Sequence, residues 1–523
     1  MLRFLKKYDT YIVLIGSLIL CLVGIGMYPI YILDESKNAE AAREMLLNNN
    51  FIVPTFNNVL RTDKPPLHYF FMILGYKLFG VGAFGARFFS GVFGVLTVFT
   101  SFWFTKRFLN QKLSWILVLV IWSSVFFIQE FHLAVPDPYL IFFISFAFWC
   151  FIAFEKTSHQ LWLLGFYTSL GLGVLTKGPV AIALPGLVCL IYIVYTKQLR
   201  TLFRFKPILG GLLILLIALP WYIKVHFDTD GLWTQGFFLD HNINRFSSEM
   251  EGHGGLFVIT WLFVLLGLMP SSFFIFYAVK NIWKDASRDD TIVFATIVSF
   301  VFVLFFSVSG TKLPNYTMPC YPFLALLIAK GIYDVIENGL KDRLINVGFW
   351  SVLVLSILLP ITGKIALSIE KELNPVSNIA WVLLLVTIPT VVAFVFYRKE
   401  QLTKAFLILS SGWVFLSPIL FLVVYPILTE QSPVTQARSV LTGDKSIAVF
   451  QRFDAAFPIN YQQTYLILKD VQEVDSFFKK HPDGVLMTNG WNSKLLDEKE
   501  YLQQVFKCKA LFESHTTRIY KMK

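Results

Sequence analysis

A series of apolar runs, each roughly 17 to 25 residues long, recurs through this chain and constrains its fold more than any other feature. In lipid, a backbone must satisfy its own polar groups, so runs of that length fold as helices. The runs fall near residues 11–33, 84–105, 113–131, 137–154, 160–176, 178–196, 207–225, 255–279, 291–309, 316–335, 345–367, 377–397 and 405–428. The expected fold is an all-α polytopic membrane bundle of about 13 transmembrane helices, with its two termini on opposite sides. Apolar residues fill 56% of the 523 positions and charged ones only 15%, outside the range of ordinary soluble domains. The first run follows the basic "MLRFLKKYD" as a signal peptide would, yet it is longer than a signal core and lacks a small-residue cleavage pattern. It reads as a retained first helix.

The formal net charge of +11 suggests an anionic partner, and its distribution identifies which. Arg3, Lys6, Lys7, Lys106, Arg107, Lys112, Lys197, Arg200, Arg204, Lys206, Lys280, Lys284, Arg288, Lys341, Arg343, Arg398, Lys399 and Lys404 fall before the first run or in every second short loop. That is the positive-inside pattern, and membrane lipids explain the basicity without any nucleic acid. Five scattered cysteines show neither a disulfide framework nor a metal spacing and read as packing residues.

After the last run the composition changes. Residues 430–523 alternate strand-like stretches ("SIAVFQRF", "TYLILK", "GVLMTN", "TRIYKMK") with a helical one ("VQEVDSFFKKH"). This predicts two parts: a transmembrane domain over 1–429 and a small soluble α/β domain over 430–523 on the outer side. Two long outer loops, 34–83 and 226–254, exceed ordinary connections. In the first, "SKNAEAAREMLLNN" places Ala39, Ala42, Met45 and Leu46 on one stripe, as in an amphipathic helix lying on a membrane surface. "FIVPTFNN" should continue it as extended chain.

Polar groups collect at the outer helix ends. Asp34 and Glu35 follow the first run, and either could cap the surface helix. "RTDKPPLHYF" sets Asp63 and Lys64 before two prolines that hold the backbone extended, suiting the lysine to a lipid phosphate. Asp137 opens a helix between two prolines, and Lys177 occupies a very short outer loop, where a bare cation facing lipid is costly. "DHNINRFSSEMEGHGG" concentrates His241, Asn242, Asn244, Arg245 and His253, and "SGTKLPNYTMPCYP" brings Lys312, Pro314, Asn315 and Tyr316. Phosphate-binding loops, dinucleotide fingerprints and hydrolase motifs are absent from the sequence. No nucleotide cofactor is therefore expected, and an outer-face reaction would need an activated lipid-linked substrate.

The ordered motifs "DESKNAEAAREML", "DKPPLHYF", "GARFFS", "PDPYL", "TKGP", "HNINRF" and "GTKLPNYTMPCYPFLALL" resemble the lipid-linked-sugar glycosyltransferases of the bacterial aminoarabinose transferase and protein mannosyltransferase type. The resemblance is closest to the 4-amino-4-deoxy-L-arabinose transferase branch and spans about residues 10–335. It implies a glycosyltransferase of the inner membrane that moves a sugar from a polyprenyl (undecaprenyl) phosphate to lipid A or another cell-envelope acceptor. By that resemblance Asp34 and Asp137 are the catalytic acids, and Lys37, Lys64, Lys177, Arg245 and Tyr316 bind the donor phosphate. Asp63 and His253 match positions near a divalent metal. Two departures stand out: the family usually has Arg at Lys37, which alone could bind phosphate bidentately, and Glu at Asp63. Other readings are a protein O-mannosyltransferase-like or polysaccharide-modifying transferase, and a flippase of a lipid-linked solute. A flippase would place ionisable groups near the midplane, whereas here they lie at helix ends.

Overall fold

The computed structural model describes residues 2–239, 254–284, 289–339, 342–441, 446–490 and 493–523. The chain opens with α1 (Leu2–Leu22), α2 (Leu33–Leu47), the short strands β1 (Thr55–Phe56) and β2 (Val59–Leu60), and α3 (Leu67–Phe79). The bundle continues with α4 (Ala83–Phe108), α5 (Gln111–Ser123), α6 (Val125–Glu130), α7 (Asp137–Thr157), α8 (Gln160–Lys177) and α9 (Val180–Tyr195). Among the described residues, eight helices are long and apolar enough to cross a bilayer; Val258–Gly267 with Ser271–Ile282, bent by 114° at Pro270, makes a ninth. Four more expected runs form the shorter or less apolar α1, α5, α8 and α9. The molecule is a multi-pass membrane protein.

Apolar composition misplaced several boundaries. α1 stops at Leu22 rather than at 33 because Gly24 turns the chain at φ +86°, where an added Cβ would lie 2.7 Å from the backbone of Phe421. The next ten residues are packed, irregular chain with Ile25, Tyr28 and Ile30 buried, so the two acids do not emerge directly from a span. The run at 113–131 breaks at Ser124 into α5 and α6. Helix α3, unassigned by the sequence, starts just after the double proline and crosses α4 closely: a Cβ on Gly75 would meet the Gly85 carbonyl oxygen at 2.0 Å.

The stripe Ala39, Ala42 and Met45 of α2 packs into protein rather than facing outward. Ten of the helix's fifteen residues are buried, charged ones included, because α3 packs on one side and the C-terminal domain on another. Arg43 pairs with Glu40 at 2.5 Å and donates to the Gln462 carbonyl at 3.1 Å. "FIVPTFNN" does not run on extended but folds into the β1–β2 hairpin, with Asn57 and Asn58 both at positive φ, the geometry of a two-residue primed turn.

The C-terminal domain holds a five-stranded sheet in the order β4-β3-β5-β7-β6: β3 (Ile447–Phe450), β4 (Leu466–Leu468), β5 (Val485–Thr488), β6 (Leu502–Lys509) and β7 (Thr516–Met522). β3 runs parallel to β4 and β5; β7 is antiparallel to β5 and β6. Alternating residues feed separate cores on the two faces, Val449, Met487 and Ile519 on one and Phe450, Leu486 and Tyr520 on the other. β6 escaped the sequence reading because "LQQVFKCK" is half polar and does not alternate regularly. The domain closes over the first long loop. Asn57 and Tyr465 exchange two hydrogen bonds (3.0 and 2.7 Å), Asn460 donates to the Ile30 carbonyl (2.6 Å), and Gln462 donates to that of Val81 (3.1 Å). All five cysteines are buried and free.

Candidate active site

The adjacent acids at the start of α2 have separate fates. Glu35 is fully buried and does not cap the helix; the N-cap position is Ile32, without a side-chain cap. Its carboxylate takes both prongs of Arg87, from Nε at 2.6 Å and Nη2 at 2.9 Å, and accepts the Ala134 N–H at 2.9 Å. Arg87 also donates to the carbonyls of Ile25, Tyr28 and Pro29 and lies 4.1 Å over the Tyr28 ring. This knot pins the irregular segment after α1 to α4 and to the approach to α7. It is the physical content of "GARFFS".

Asp34 points the other way, with 53% of its side chain exposed and its Oδ1 3.9 Å from Arg61 Nη2. The same guanidinium nitrogen reaches Asp63 at 3.1 Å and the Asn38 side-chain oxygen at 3.0 Å. Arg61 thus ties α2 to the segment before α3, with Asp34 and Asp63 on either side of one buried cation. Sequence reasoning passed over Arg61, Asn38 and His68, since a lone polar residue, whether in a loop or on a helix, carries no signal of what it will meet across the fold. His68, buried 3.4 Å from Asn38, is held well below the usual imidazole range by desolvation and then by Arg61 and Lys64. It is neutral.

A second cluster forms where α7, α8 and the 309–319 segment meet. Asp137 sits in the first turn of α7, where the helix N-terminus favours a carboxylate, and it binds Lys177, the last residue of α8, at 2.5 Å. The Lys177 ammonium also stands 5.0 Å from the Tyr316 ring centroid. Glu130 ends α6 nearby, buried, with Asn315 Nδ2 3.5 Å from Oε1. Burial first, and the charge of Asp137 second, push its carboxyl up to about 8. Glu130 was hidden inside an apolar run; the one available signal was an acid within such a run.

Asp63, Lys64, Lys177 and Tyr316 line a cavity of about 280 Å³ together with Leu140, Ile144, Val180, Ala183, Leu184, Phe302, Phe305 and Phe306. A lining that combines cations with hydrocarbon suits an amphiphile with an anionic head. Four of the residues singled out in the sequence are therefore brought together, Asp137 joins them through Lys177, and Asp34 joins through Arg61. Lys37, half-buried one turn after Asp34, is not among the lining residues. Arg245 and His253, with the rest of 240–253, lie outside the described residues.

Of the two positions expected near a metal, Asp63 lies against Arg61 and His253 is outside the described residues. Among the described residues no group of three or more His, Cys, Asp or Glu could hold an ion, and the Asp63 carboxylate already faces Arg61 at 3.1 Å. A divalent cation there would compete with a fixed guanidinium.

The family described as dolichyl-phosphate-mannose-protein mannosyltransferase matches residues 63–223, which carry α3 to most of the seventh run. The undecaprenyl phosphate-alpha-4-amino-4-deoxy-L-arabinose arabinosyl transferase of Shewanella sediminis is 30% identical over 379 residues, covering 71% of this chain and 68% of that protein. The chain belongs to this aminoarabinose transferase family. The enzyme of the same description from Aeromonas hydrophila is 29% identical over 337 residues, 63% of this chain and 60% of that protein. The crystal structure of ArnT from Cupriavidus metallidurans bound to undecaprenyl phosphate superposes with a TM-score of 0.81 over 98% of both chains at 19% identity. That likeness shows that the fold, including the C-terminal sheet domain, is shared. Family membership agrees with the resemblance read from the ordered motifs.

Proposed function

We propose that this chain transfers 4-amino-4-deoxy-L-arabinose from undecaprenyl phosphate to lipid A at the outer face of the bacterial cytoplasmic membrane, with its C-terminal domain in the periplasm. The observation that carries this reading is one cavity lined by Lys64, Lys177 and apolar side chains, with Asp63 in its lining and Asp137 on Lys177. The sugar and acceptor follow the relatives' names.

In this reading the two lysines take the donor phosphate while the polyprenyl chain runs along Leu140, Val180, Phe302 and Phe306. The bond from the anomeric carbon to the phosphate oxygen breaks, its electron pair leaves with undecaprenyl phosphate, and an acceptor oxygen forms the new bond to that carbon. Fixed cations in a poorly screened cavity stabilise the developing charge on the leaving phosphate. A lipid A phosphate has no proton to lose, so Asp34, exposed beside Arg61, orients the acceptor; for a hydroxyl acceptor the same carboxylate would receive the proton.

Membranes containing the chain, supplied with the lipid-linked aminosugar, should yield modified lipid A by mass spectrometry. Wild-type transfer by both Asp34→Asn and Lys64→Ala would sink the mechanism. The mannosyltransferase-type match at 63–223 favours a second reading, transfer to a protein hydroxyl, which a glycosylated peptide product in the same assay would establish. Movement of the lipid-linked solute across vesicles without any glycosylated product would establish a flippase instead.

A further inference from the structure

The two lysines that line the cavity come from segments far apart in the chain, Lys64 from the stretch before α3 and Lys177 from the end of α8. Phe237 lines the same cavity. With its neighbour Gly236 it stands between those two segments. A Cβ placed on Gly178, the residue after Lys177, would lie 2.6 Å from the Phe237 ring; one placed on Gly236 would lie 2.7 Å from Oγ1 of Thr62, two residues before Lys64. Real Cβ atoms do not come so close, so Phe237 packs directly on the chain beside Lys177 and Gly236 directly on the chain beside Lys64.

The pair is itself held from behind. Phe237, buried, stacks on Trp233 with 4.8 Å between ring centroids and 20° between planes, and Trp233 meets Trp221 edge-on at 4.8 Å. Trp233 is fully buried, and Trp221 belongs to the helix Pro207–Asp228. Large rings in close-packed surroundings cannot relax far, so a helix of the bundle fixes where Phe237 stands. On the other side Gly178 turns the chain at φ +83°, a conformation that glycine adopts freely. Spacing matters here because a lysine is a point charge on a flexible stem, without the fork of an arginine. Two such charges grip one phosphate only if their backbones are placed for it. Lys64 is buried and Lys177 is bound to Asp137 at 2.5 Å, so neither has a surface lysine's freedom to follow a displaced phosphate.

We propose that Gly236 and Phe237 are positioning residues for the donor phosphate: a spacer, acting through Thr62 and Gly178, that sets the separation of Lys64 and Lys177 so that both ammonium groups reach one phosphate. This rests on the donor reading above. Glycine at 236 lets the spacer approach Thr62, and an aromatic ring at 237 spans the remaining distance to Gly178.

The test uses the full-length enzyme in lipid micelles and compares undecaprenyl phosphate with undecaprenol, which keeps the chain but lacks the phosphate, as inhibitors competing with the donor. The ratio of their inhibition constants is the phosphate preference. Gly236→Ala adds one methyl group against Thr62 at an ordinary helical φ of −59°. It should lower that preference about tenfold, the order expected when a charged contact is displaced rather than deleted, and leave undecaprenol inhibition within about threefold. Phe237→Ala should do the same from the other side, and Phe237→Tyr, which keeps the ring, should restore the preference. Retained undecaprenol inhibition and a thermal unfolding transition like the wild type's show that each variant is folded. In a Lys64→Ala background there is no pair left to space, so adding Phe237→Ala should cost less than about threefold more. Equal weakening of both lipids, an unchanged preference in Gly236→Ala and Phe237→Ala, or losses that multiply in the double variant overturn the spacer. A wild type that binds both lipids alike would instead refute the donor reading on which it rests.

Discussion

Glu35→Gln tests the division of labour between two neighbouring acids. The substitution keeps volume and one acceptor oxygen but removes the charge opposite Arg87, and its new amide donor faces a guanidinium donor where Oε2 accepted at 2.9 Å. Both partners are fully buried, so water cannot compensate. Breaking a buried pair from one side costs about 3–5 kcal/mol. The retained contact to Ala134 N–H favours the lower end, about 3 kcal/mol, or roughly 150-fold in the unfolding equilibrium. Equilibrium unfolding in mixed micelles, followed by tryptophan fluorescence, measures it directly. Glu35→Gln with Arg87→Met should recover part of the loss, since an apolar pair of similar size is often tolerated, but not all of it, because the Ile25, Tyr28 and Pro29 carbonyls lose their donor. An unfolding curve like the wild type's, together with abolished transfer, would refute the argument and make Glu35 a chemical group.

Other substitutions probe the site and its brace. Lys64→Ala should raise the donor KM about 10- to 100-fold, the range for one charged hydrogen bond; an unchanged KM would remove Lys64 from the phosphate site. Asn57→Ala deletes the two reciprocal bonds to Tyr465 and should cost about 1–3 kcal/mol of docking, seen as faster hydrogen exchange at the Tyr465 amide; unaltered protection would deny the brace. His515 is raised to about 9, chiefly by Asp454 and then by Glu513. Its folded value lies above its unfolded one, so its stabilisation is full below about 6.5 and is lost as pH rises through about 9. Thermal unfolding followed from pH 6 to pH 10 should show that loss, and His515→Ala should abolish it.

Much of the bundle was legible because a bilayer leaves a backbone few options. The same argument failed at Leu22 and Ser124, where chain buried within protein is as apolar as a span but free to be irregular. It failed for α2 too: Glu40, Arg43 and Glu44 look like a solvated face, yet they are buried. The alternation of the C-terminal strands was readable; the irregularly patterned edge strand β6 was not.

The sequence by itself determined that this is a polytopic membrane protein with an appended α/β domain, because hydrophobic run length and period are local properties. Its ordered motifs determined the family. Only the tertiary structure decided which charges act together, since ion pairing depends on distances between residues far apart in the chain. It sent Glu35 to Arg87 and left Asp34 exposed beside Arg61, joined Asp137 to Lys177 across two helices, and set Glu130, hidden in an apolar run, against Asn315.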